Sequence, residues 1–182
     1  MKRLKLPLGI TVLYCLFCFA QCKKSNPDSN GLPAATQDGK NTIGFLLNGQ
    51  PWKPQGVRGT GNLSIDFDPG FNQGIFGIVA YNFVPTVSEQ FKIGIGDSLN
   101  FVTAPKTYPI TRNSLTGISF TNFDCGYYYS WSTEIDVTGS LTITKLDRIN
   151  RIISGTFYAT LAKAGLGCGT IKITDGRFDM KF

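Results

Sequence analysis

From residue 43 onward, apolar and polar positions alternate in short runs, and no segment carries the i, i+3, i+4 stripe of an amphipathic helix. A period of two sends successive side chains to opposite faces of a strand. The pattern therefore predicts an all-β domain of about eight to ten antiparallel strands, a β-sandwich or a β-barrel, between which periodicity does not choose. Asn48–Gly49, between Ile43–Asn48 and Gln50–Trp52, is a two-residue hairpin signal, with Trp52 expected as a core or rim plug. Val57, Gly59, Gly61, Leu63, Ile65 and Phe67 share one parity, which predicts a single long strand with a wet opposite face. Gly74–Phe83 is apolar at both parities, Phe76, Ile78 and Ala80 on one face and Ile75, Val79 and Tyr81 on the other, as expected of a central strand.

Phe91, Ile93 and Ile95 then alternate with Lys92, Gly94 and Gly96. Asp97–Pro109 is predicted as a loop whose prolines suit an edge or crossing segment, and Thr116–Phe123 as a strand. Val137–Leu146 and Arg151–Leu161 give the clearest hairpin, with Ile153, Phe157, Ala159 and Leu161 inward and Thr156, Tyr158 and Thr160 outward. In Ile171–Phe182 the parity changes: Ile171 and Ile173 are odd, whereas Phe178, Met180 and Phe182 are even. One extra residue must be absorbed near Asp175–Gly176, by a bulge in one long strand or, as the alternative, by a tight turn.

The first 21 residues break this pattern. Lys2, Arg3 and Lys5 precede an apolar run from Leu6 to Ala20, the layout of a signal peptide and too short for a comfortable membrane span. The run ends in Phe19–Ala20–Gln21–Cys22, which resembles the lipobox of bacterial lipoproteins, although Gln21 departs from the usual small residue. Residues 1–21 are thus expected to be a lipoprotein signal peptide and Cys22 the lipid-modified first residue of the mature chain. Residues 22–40, polar and rich in Pro, Gly, Asn and Ser, are expected to be the lipidated end and a flexible linker, and 41–182 a single all-β domain. The expected location is the bacterial outer membrane, lipid-anchored and facing the periplasm or the cell surface.

Composition narrows the chemistry. The formal charge of +6 loses Lys2, Arg3 and Lys5 with the leader, and the remaining Lys and Arg are dispersed, so nucleic acid is not an expected partner. The chain has no histidine, which removes Ser-His-Asp and Cys-His catalysis and His-ligated zinc. Cys125 and Cys168 are the two cysteines beyond Cys22, and in an oxidising compartment such a pair reads most simply as a disulfide, worth about 3–4 kcal/mol.

Asn48, Gly49 and Trp52 (N-G-x-x-W), Ile143–Asp147 with Ile153–Phe157 (ITKLD…ISGTF) and Ile173–Asp179 (ITDGRFD), together with the lipobox leader, resemble a family of small Bacteroidota-type lipoproteins of unknown function. The likeness covers most of the mature chain and implies no activity, cofactor or site.

Four groups of residues remain as candidates. Tyr127, Tyr128, Tyr129 and Trp131 crowd four aromatic rings into a short run; alternation sets Tyr128 apart from the other three, and the rings suit either a sugar-stacking platform or the core. Asp66, Asp68 and Asn72, around Gly70, place oxygen ligands loosely as a calcium loop does, against the simpler reading of a solvated turn. Glu134 with Asp136, and Asp175 with Asp179, are carboxylate pairs whose spacing of about 7 Å for residues two apart on a strand approaches that of an inverting glycosidase. Arg177 is expected to ion-pair with Asp179 at a strand edge. No cofactor is expected. The function expected from these residues is a membrane-tethered, non-enzymatic β-domain that binds a glycan or an envelope protein; the alternatives are a barrel-like carrier of a small apolar ligand and a carboxylate-based glycan hydrolase.

Overall fold

The computed structural model describes residues 30–57, 59, 61–163 and 169–182. In chain order the strands are β1 (Thr42–Leu47), β2 (Gln50–Trp52), β3 (Leu63–Asp68), β4 (Ile75–Val84), β5 (Val87–Ile95), β6 (Lys106–Ile110), β7 (Thr116–Asn122), β8 (Gly126–Tyr129), β9 (Ile135–Asp147), β10 (Ile152–Lys163) and β11 (Thr170–Lys181). They form a six-stranded sheet in the order β2-β1-β11-β10-β9-β6 and a five-stranded sheet in the order β3-β4-β5-β7-β8. All pairings between named strands are antiparallel, and the two sheets pack as a β-sandwich, not a closed barrel.

The interior is filled by aromatic rings from both sheets. Phe45 stacks on Trp52 at 4.6 Å and meets Phe91 of the facing sheet at 4.6 Å, while Phe91 stacks on Phe157 at 5.3 Å. Trp52 is thus core, and its indole N–H donates to the buried carboxylate of Glu89 at 2.7 Å. Asn48 and Gly49, both at positive φ, make the expected two-residue turn between β1 and β2. The β9–β10 hairpin also forms as expected, with Ile153, Phe157, Ala159 and Leu161 buried.

β11 carries the expected bulge. Gly176 pairs with Phe157 but Ile173 with Ala159, so three steps of β11 face two of β10, and β1 shows the same slip between Gly44 and Leu46. Asp175, at φ 52°, is the residue that turns the strand over. Ile171 and Ile173 before it and Phe178 and Met180 after it then all reach the same core.

Three expectations are corrected. The described residues Val57, Gly59, Gly61 and Asn62 do not extend β3: Gly56, Gly59 and Gly61 lie at positive φ, Val57 is exposed, and Gln55 bridges to Asn82 of β4. The run Asp97–Pro109 is not wholly loop, because β6 takes Lys106–Ile110 to the edge of the six-stranded sheet. The described part of the expected linker is a docked strap. Leu32 is fully buried, Pro33 lies against Gly44, and Gln37 accepts a hydrogen bond from Lys145 Nζ at 2.8 Å.

Asp179 holds this strap. On Oδ2 it accepts hydrogen bonds from Thr36 Oγ1 (2.5 Å), Asp38 N–H (3.0 Å) and Lys40 N–H (3.2 Å), and on Oδ1 from Gly39 N–H (2.8 Å) and Ser154 Oγ (2.8 Å). Asp179 is 1% exposed, and β11 lies between β1 and β10, so it is a buried buckle within the sheet and not at a strand edge. Burial pushes its pKa up, but the hydrogen bonds from Thr36, Gly39, Ser154 and Asp38 outweigh that and hold it below the usual carboxylate value.

Candidate functional site

The strap lies on the six-stranded sheet, and the most distinctive open surface is the outer face of the five-stranded one. Register builds it in rows across the strands. Asp66 of β3 pairs with Gly77 of β4, Gly77 with Gly94 of β5, and Gly94 with Gly117 of β7. The neighbouring row runs Ser64, Val79, Lys92, Ser119, Tyr129. Three adjacent strands thus show bare backbone to solvent where side chains would ordinarily stand. The result is an open, largely apolar groove of about 340 Å³, walled by Ile75, Val79, Leu115 and Trp131, with Asp66 and Lys92 as its charged groups.

The glycines are not equivalent. A Cβ on Gly94 would collide with the carbonyl of Phe76, so β4 and β5 approach too closely for any other residue there. A Cβ on Gly77 would meet nothing within 4 Å and would stand in the groove, and one on Gly117 would rest against the Trp131 ring at 3.5 Å.

The aromatic run forms the end of this face. Alternation along β8 turns Tyr128 into the core, fully buried, and leaves Tyr127 (54% exposed) and Trp131 (57% exposed) outward with Tyr129 half-buried between them. The three outward rings stack along the edge strand, Tyr127 on Tyr129 at 5.8 Å and Tyr129 on Trp131 at 5.1 Å with only 8° between planes. The four expected platform residues therefore separate, and the larger set is the exposed one. Trp131 is held just past the strand end because Ser130 keeps the pairing going: its N–H donates to Ile118 O at 3.0 Å and its Oγ accepts from Ile118 N–H at 3.1 Å. At the other end of β8, Asn122 Oδ1 caps the turn by accepting from Asp124 and Cys125 N–H, while its amide donates to Glu89.

Cys125 itself is disulfide-bonded. Cys168 and Cys22, expected respectively as its partner and as the lipidated residue, lie outside the described residues.

The other candidates do not assemble into sites. Asp68 uses Oδ1 to cap its own turn, accepting from Gly70 and Phe71 N–H, and the Asn72 amide donates to Gly96 O, so the DFDPGFN segment is a hydrogen-bonded turn. Among the described residues no group of three His, Cys, Asp or Glu is placed to hold a metal. Glu134 lies 3.4 Å from Lys163 and Asp136 3.5 Å from Arg112, each carboxylate largely solvated. Asp175 is exposed at the bulge, while Asp179 is spent on the strap. A glycosidase needs one carboxyl poised as an acid beside a second that faces the substrate; neither pair provides that.

Sequence reasoning missed the groove, although its signal was present as glycines at solvent-facing strand positions. It also missed Asp179 and Glu89 as buried acceptors, which no local pattern announces. The chain matches no family model, and neither a curated protein nor a solved structure is significantly similar to it.

Proposed function

We propose that this chain is a lipid-anchored protein of the bacterial cell envelope whose five-stranded face binds a carbohydrate chain without transforming it. The observation that carries the reading is the exposed stack of Tyr127, Tyr129 and Trp131 beside the groove. Exposed aromatic rings are costly to leave in water, and a pyranose offers an apolar C–H face to a ring and hydroxyls to neighbouring polar groups. Asp66 and Lys92 line the groove, exposed, and supply such groups. The carrier reading would need an internal cavity, whereas the space between these sheets is filled by Phe45, Phe91, Phe157 and their neighbours.

The remaining parts of the proposal concern placement. Cys22 carries the lipid, and Cys125 pairs with Cys168, supported by its disulfide-bonded state and an oxidising compartment. The bond would tie the start of the aromatic strand to the segment before β11.

Binding is tested by isothermal titration against soluble plant and bacterial polysaccharides. The protein should bind at least one, and Tyr127→Ala with Trp131→Ala together should weaken it at least tenfold, about 1.4 kcal/mol, with an unchanged melting temperature. Binding unaffected by both substitutions would remove the reading. Cys22→Ser should abolish palmitate labelling and release the protein from membranes.

A further inference from the structure

Resting on that reading, we infer that the ligand is an acidic polysaccharide, a linear chain containing uronic acids, and that Lys92 is the residue that reads its carboxylate. Lys92 is exposed on β5, in the middle strand of the sheet, and lines the groove wall between Val79 and Ser119. Among the described residues it enters no ion pair, and it is the cation among the groove's lining residues. An ammonium in the middle of an apolar trough, with open space on the solvent side, is a cation without its counter-charge.

Geometry places that counter-charge on the ligand. The groove crosses the strands, from Trp131 over Gly117, Gly94 and Gly77 to Asp66. Neighbouring strands are spaced by about 4.8 Å, close to the advance of one pyranose along an extended chain, so successive sugar units match successive strands. A unit stacked on Trp131, whose ring lies against Gly117, places the following units over the bare backbone of Gly94 and Gly77. Lys92 is two residues from Gly94 on the same face of β5, about 7 Å away, within reach of an equatorial carboxylate projecting sideways from a unit at that point. Asp66, at the far end, accepts from hydroxyls and disfavours a carboxylate there, so one acidic substituent is read at mid-groove.

The pairing is partly solvent-screened, so it sets preference and salt dependence more than raw affinity. The test uses the full mature protein and two probes of the same backbone, a polyuronate such as alginate or polygalacturonate and its carboxyl-reduced neutral form. The wild type should bind the polyuronate at least fivefold more tightly at low ionic strength, with the difference shrinking in 0.5 M NaCl. Lys92→Gln should equalise the two probes, Lys92→Arg should keep the preference, and Trp131→Ala should weaken both forms together. Equal binding of both probes by the wild type, with Trp131→Ala still weakening each, would overturn the acidic-ligand inference while leaving carbohydrate binding standing. Polyuronate preference unchanged in Lys92→Gln would overturn the role of Lys92, and no binding of any saccharide would overturn both.

Discussion

Gly77 is the residue at which stability and the proposed saccharide binding pull in opposite directions. A β-strand interior loses stability with glycine, which packs nothing and gives up the most conformational freedom on folding. At Gly77 an added side chain would meet no atom within 4 Å and would occupy the groove. Gly77→Ile should therefore raise stability by about 0.5–1 kcal/mol in a chemical denaturation, because a β-branched residue suits this central strand. The same substitution should abolish saccharide binding. A stabilised variant that still binds would show that the groove is not where the ligand sits. Such glycines were visible in the sequence as members of alternating runs, yet alternation alone does not say which of them face a common row; that depends on the register of β4, β5 and β7. Tyr128 was separable from Tyr127, Tyr129 and Trp131 by parity, but which parity faces water depends on the sheet packed behind β8.

At the scale of elements, the strap and the bulge are the two places where the chain departs from regular pairing. The strap reads as linker in composition, and it docks because a carboxylate on β11, the strand paired with β1, collects the backbone N–H groups of Asp38, Gly39 and Lys40. Nothing local in Asn30–Lys40 announces this; the information lies in Asp179, about 140 residues away. Asp179→Asn replaces the charged acceptor and should cost about 2–3 kcal/mol in thermal unfolding. Because the folded pKa of Asp179 is lowered, its contribution is complete above the ordinary value of 3.8 and declines as pH falls through the lower folded value. Stability of the wild type should accordingly fall more steeply than that of Asp179→Asn below about pH 4. The bulge, in contrast, was legible from the parity change in Ile171–Phe182 alone, since a strand cannot otherwise send both Ile173 and Phe178 to one core. Gly176 is held by close approach: a Cβ there would lie 2.5 Å from the Phe157 ring and from its carbonyl oxygen. Gly176→Val should cost at least about 2 kcal/mol, while Asp175→Gly, at φ 52°, should stay within about 1 kcal/mol of wild type.

At the scale of the molecule, the sandwich gives its two outer faces different work. One is crossed by the strap that leads from the N-terminal segment, and the other carries the groove and the stacked rings. Alternating apolarity established an all-β chain but left sandwich and barrel open, because closure depends on which edge strands meet. Here β2 and β6 end one sheet and β3 and β8 the other, so the aromatic strand is an edge and its rings remain accessible. The two tryptophans make that accessibility measurable, since Trp52 is 3% exposed in the core and Trp131 is 57% exposed on the groove face. Iodide quenching of intrinsic fluorescence therefore reports Trp131 against a protected Trp52. A polyuronate at saturation should shield the quenchable tryptophan and shift its emission to shorter wavelength, and Trp131→Ala should lose both the quenchable signal and the response. A saccharide that binds the protein while Trp131 stays fully quenchable would contradict the account.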